Sequence, residues 1–109
     1  MRAGVLLMKS RLSQQEAAEL FKALGDGTRL GILRLLFQKE RCIMEIMERL
    51  DMAQSLVSHH VKILKTAGLV YSRREGHKIC YALVPEVKRK LSDSTKEGLD
   101  LGCCEVTFR

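Results

Sequence analysis

The chain has 109 residues, 46% of them hydrophobic, and 19 Lys and Arg against 13 Asp and Glu leave a formal charge of +6. That length supports one compact domain, which buries only about two thirds of its unfolded surface and gains from a partner subunit. The charge favours a polyanionic partner, and no stretch approaches the roughly 18 uninterrupted apolar residues of a membrane-spanning helix.

The opening MRAGVLLMKSR has an apolar run only at residues 5–8, short of the roughly 7 to 15 residues of a secretory core. A lead-in arm on a cytoplasmic protein is expected. From Ser13, a possible N-cap with Glu16 three residues on, Ala17, Leu20, Phe21 and Leu24 recur at helical spacing up to Gly25. Asp26 can cap a second helix whose Leu30, Leu33 and Phe37 form a stripe widened by Ile32 and Leu36, the expected centre of the core.

A third helix carries Ile43, Ile46, Met47 and Leu50, with Glu45, Glu48 and Arg49 left for solvent. Asp51 and Met52 make the turn, and Asp51 can take the left-handed conformation or cap the next helix with Gln54 reaching back. Val57, Val61 and Leu64 hold the fourth helix on the core, and Gly68 ends it. Residues 69–73 and 78–83 read as two strands turning at Gly76, with Ile79, Tyr81 and Leu83 as the buried face. Pro85 suits the first turn of a last helix along Val84, Val87 and Leu91, after which the pattern fades. The division expected is a domain over 1–97 and a cysteine-containing tail over 98–109.

Two adjacent helices followed by a basic hairpin are the order in which a helix-turn-helix and a wing meet DNA. A recognition helix presents short polar and basic side chains in its first turns, because these reach base edges and phosphates. Gln54, Ser55, Ser58, His59 and Lys62 meet that need, and Arg73, Arg74, His77 and Lys78 can grip phosphate or enter the minor groove from the hairpin. His59 and His60 point about 100° apart on a helix and make poor joint metal ligands, so His60 is expected to pack partly inward.

Cys42, Cys80, Cys103 and Cys104 in a reducing compartment suit metal binding or redox sensing better than a structural framework. Cys103 and Cys104 are neighbours with Cα atoms about 3.8 Å apart, below the roughly 4.4 to 6.8 Å of a relaxed disulfide. Cys80, on the strand face opposite Ile79 and Tyr81, reads as an inert small residue. No nucleophile, base and orienting partner stand together beyond the three histidines, so neither an enzyme nor an organic cofactor is expected.

ALGDGTRLGILRLL at 23–36, SHHVKILKTAGL at 58–69 and RREGHKICYAL at 73–83, in that order, resemble the successive signatures of the ArsR/SmtB family of small winged-helix repressors. The resemblance covers roughly residues 16–91. It implies a mainly α fold with a small β-hairpin, a winged helix-turn-helix, homodimeric through its first and last helices. It also implies a protein that holds double-stranded operator DNA until an inducer releases it.

The family's third-helix metal box usually reads ELCVCDL. Here it is ERCIMEI, which keeps Cys42 and replaces the second thiol with Met44. The last-helix zinc site needs His residues, and none follows His77. What the resemblance leaves is Cys42 with Cys103 and Cys104, soft thiolates that suit As(III) or Sb(III) as inducer, with Cd(II) or Pb(II) as alternatives. A second alternative is a redox or persulfide switch in which Cys42 or Cys80 bonds to a tail cysteine.

Overall fold

A computed structural model describes residues 13–87 and the backbone of two short strands at 98–100 and 105–107. In chain order the elements are α1 (Gln14–Leu24), α2 (Gly27–Gln38), β1 (Arg41–Cys42), α3 (Ile43–Leu50), α4 (Gln54–Thr66), β2 (Val70–Glu75), β3 (Lys78–Leu83), β4 (Gly98–Asp100) and β5 (Glu105–Thr107). A further helix begins at Pro85. Among the described residues no helix is long and apolar enough to cross a membrane.

The caps set the entry of the first two helices. Ser13 Oγ accepts from the Glu16 amide while the Glu16 carboxylate accepts from the Ser13 amide, a closed capping box. Asp26 accepts from the Arg29 amide at 3.1 Å and starts α2. That bond, ahead of the nearby positive groups, holds the Asp26 carboxyl below the usual carboxylate range.

Ile32, Leu33 and Leu36 of α2 pack with Leu20, Ile46, Val57, Val61, Leu64, Leu69 and Leu83 in one core, and Leu30 and Phe37 flank it partly buried. Phe21, expected inside, is 45% exposed, because it lies on the face of α1 turned away from that core. Asp51 ends α3 at φ 52°, the left-handed conformation expected of it. It does not cap α4: Ala53 occupies that position without a side-chain bond, and the Leu56 and Val57 amides turn back onto the Ala53 carbonyl.

The sheet has three strands in the order β1-β3-β2, where the sequence pattern predicts a two-stranded hairpin. β1 adds only Arg41 and Cys42, opposite Tyr81 and Cys80. It pairs along the edge of β3 away from β2, beside Cys80 and Tyr81, which are both buried, while Ile79 lies past the end of that pairing near the turn and is exposed. Arg41 is buried at the joint between α2 and α3. Its guanidinium donates to the Leu35 carbonyl, to Gln38 and to Glu45, so no donor pointed at these acceptors is left bare. β4 and β5 pair antiparallel within a tail whose sequence shows no pattern.

Candidate nucleic-acid interface

Helix α4 rests on Val57, Val61 and Leu64, each at most 2% exposed, and this apolar floor fixes which side faces out. Gln54, Ser55, His59 and Lys62 are exposed there and Ser58 is half-buried. Gln54, Ser55 and Lys62 make no hydrogen bond or ion pair among the described residues, so their donors and acceptors stay available. His59 meets His60 edge to face with centroids 5.2 Å apart. His60 turns inward, its Nδ1 3.2 Å from Arg29 Nη1 and 3.8 Å from Asp26, and takes no part in the outer face.

Arg29 also donates to the carbonyls of Lys22 and Ala23, which close the last turn of α1. It thereby locks α1, α2 and α4 together. Between α1 and α4 lies a cleft of about 670 Å³ whose lining includes Lys22, Arg29, His59 and Lys62, with Glu19 at one side. Sequence reasoning misses Lys22 and Arg29, because their approach to α4 depends on tertiary packing and no local pattern reports it.

The hairpin turns on Gly76, at φ 64°, and His77, with Glu75 opposite Lys78. Arg74, His77 and Lys78 project exposed at the tip. Arg73 is held differently: its guanidinium forms a two-pronged pair with Glu40 and reaches Glu75 at 3.3 Å. The bond to Glu40 raises its pKa still further above the ordinary arginine value. Of the four wing residues expected to meet phosphate, Arg73 is thus engaged by acids of its own chain.

Cys42 serves both as the residue preceding α3 and as a strand residue, and its sulfur is bonded to Cys80. The expected redox partner of either thiol is a tail cysteine, but β1 sets the two opposite each other in register. While that bond stands Cys42 has no free thiolate. Cys103 and Cys104 lie outside the described residues. Glu40, Glu75 and Cys80 bring potential ligand atoms within 4.8 Å of one another, a grouping that spans three separate segments and is not legible from spacing.

Residues 26–72, from the cap of α2 into the wing, match the family described as bacterial regulatory protein, arsR family. An uncharacterised HTH-type transcriptional regulator of Methanocaldococcus jannaschii is 45% identical over 73 residues, 66% of this chain and 82% of that protein. The transcriptional repressor SmtB of Mycobacterium tuberculosis is 42% identical over 62% of this chain, which spans 50% of that protein's length. An arsenical resistance operon repressor of Staphylococcus xylosus is 33% identical over 83% of both chains. The homodimeric winged helix-turn-helix DNA-binding domain from Mycobacterium bovis superposes with a TM-score of 0.65 at 38% identity, covering 70% of this chain and 71% of that one. These relatives are named as transcriptional regulators, and the superposition with the Mycobacterium bovis domain shows the winged helix-turn-helix fold. The chain belongs to the ArsR/SmtB family of winged helix-turn-helix transcriptional repressors.

Proposed function

We propose that the chain forms a homodimer that represses transcription by holding double-stranded operator DNA with α4 and the wing, and releases it when a soft thiophilic ion reaches its cysteines. The observation that carries the first half is the uncommitted polar face of α4 over its buried apolar floor. Gln54 suits a bidentate pair with adenine, while Ser55, Ser58, His59 and Lys62 suit base edges or phosphates. Arg74, His77 and Lys78 suit the neighbouring backbone, with Lys22 an added phosphate contact beside α4. Arg73 joins them only when it leaves Glu40. A regulator of this kind works in the cytoplasm, where the DNA is.

The homodimeric Mycobacterium bovis domain supports the two-fold assembly, and exposed Phe21 on α1 supports a contact through the first helix. Two-fold symmetry then asks for half-sites about one helical turn apart. For the inducer, Cys42, Cys103 and Cys104 together offer the three thiolates that suit As(III) or Sb(III), and the name of the staphylococcal arsenical repressor supports that choice. The set is complete only after the Cys42 to Cys80 bond is reduced. Coupling of about 1 to 3 kcal/mol between ion and operator is enough to change occupancy.

Arsenite added to a complex of the reduced protein with a duplex selected for binding tests the reading. Release from the wild type and retention by a Cys103→Ser, Cys104→Ser variant are expected. No release from the wild type, or equal release from the variant, contradicts the proposed ion site and leaves the DNA-binding assignment standing.

A further inference from the structure

The root of the wing gathers Glu40, Glu75 and Cys80, which neither DNA reading nor the site with the tail cysteines uses, beside Cys42, which the latter shares. Cys42 and Cys80 stand opposite each other in adjacent strands and share a disulfide. The Glu40 and Glu75 carboxylates and the Cys80 sulfur lie within 4.8 Å of one another. Arg73 bridges the two carboxylates, so a cation is already drawn to the spot. Glu40 and Glu75 are partly exposed, which leaves a path from solvent to the buried sulfur.

We propose that the reduced Cys42 and Cys80 thiols, with Glu40 and Glu75, form a binding site for a thiophilic divalent cation, Zn(II) or Cd(II), at the junction of α3 and the wing. Two thiolates and two carboxylates make a four-ligand set of the kind these ions accept. A zinc to sulfur bond of about 2.3 Å puts tetrahedral ligand atoms about 3.7 Å apart, so Glu40, Glu75 and Cys80, within 4.8 Å of one another, close on an ion with shifts of about 1 Å, and Cys42 joins them once its bond to Cys80 is reduced. Trivalent arsenic prefers three thiolates, and the site offers only two. It is therefore distinct in ligands and in preferred ion from the set that includes Cys103 and Cys104, although both draw on Cys42.

The site exists in one redox state only. A dithiol reductant delivers two electrons and two protons to the disulfide and leaves as its own disulfide, and the two new thiols release their protons as the cation binds. Arg73 competes with the cation for both carboxylates. Occupancy therefore frees the Arg73 guanidinium at the edge of the wing, and the same residue reports on binding.

Titration of the full chain carrying Cys103→Ser and Cys104→Ser with Cd(II), in oxygen-free buffer after reduction and removal of the reductant, reads the thiolate-to-metal absorption band. One cation per chain with two thiolates is expected, tightened severalfold by Arg73→Ala and weakened about tenfold or more by Glu40→Gln together with Glu75→Gln. Cys80→Ser is expected to abolish the two-thiolate band. The oxidised form of the same protein keeps the fold with the disulfide intact and is expected to give no band, so the result does not depend on a destabilised variant. Absence of a band in the reduced protein overturns the site, as does an affinity indifferent to Glu40 and Glu75. Neither result bears on arsenite release by the wild type, so the two ion proposals fail separately.

Discussion

Helix α4 and the wing are both basic surfaces, but they are built on different terms. Gln54, Ser55 and Lys62 of α4 stand over a buried floor with no hydrogen bond or ion pair among the described residues. The wing shows one cation, Arg73, clamped between acids, and Arg74, His77 and Lys78 at an exposed tip beside paired strands. The difference separates a surface organised in advance for reading bases from one suited to gripping phosphate, part of whose charge is spent inside the protein.

The largest way to break the comparison is to remove the floor. Leu64→Ala, at a fully buried position, is expected to cost about 2 to 5 kcal/mol of stability, read as a lower urea midpoint. Next comes base reading. Gln54→Ala is expected to lose about 1 to 3 kcal/mol on a selected operator with little change on random duplex, whereas Arg74→Ala is expected to weaken both alike. Salt titration sharpens this further: Lys62→Ala and Arg74→Ala should each reduce the slope of log affinity against log salt by about 1. Glu40→Gln should steepen it, by releasing Arg73 from its stronger partner.

The smallest effect concerns the scaffold beneath both surfaces. Because the Asp26 carboxyl titrates below its ordinary range in the fold, its stabilisation is fully present above the unfolded value of about 3.9 and fades as pH falls through the folded one. The melting-temperature gap between wild type and Asp26→Ala should therefore hold at neutral pH and shrink as the solution is acidified below about pH 4. A gap that widens on acidification contradicts the assignment.

Features written in a few adjacent residues are legible in the amino-acid sequence by itself. The Ser13 and Glu16 capping box, the Asp26 cap, the left-handed Asp51 and the Gly76 turn all depend on local geometry, and each stands as expected. The face of α4 is equally legible, since helical periodicity separates Val57, Val61 and Leu64 from Gln54, Ser55 and Lys62. What escapes depends on pairing between distant segments. Two residues of β1 carry no strand signature, yet they bury Cys80, join it to Cys42 and leave Ile79 outside. The burial of Arg41 and the clamp on Arg73 escape likewise, because a charged residue reads as solvent-facing until its partners are known.

The most direct test of the claim that α4 reads DNA is selection of a random duplex pool by the reduced protein, followed by affinity measurements of wild type and Gln54→Ala on the enriched sequence. The account predicts an enriched inverted repeat with half-sites about one helical turn apart, bound at least severalfold more weakly by Gln54→Ala. Enrichment of no sequence, or equal affinity of the two proteins for the one enriched, would contradict it.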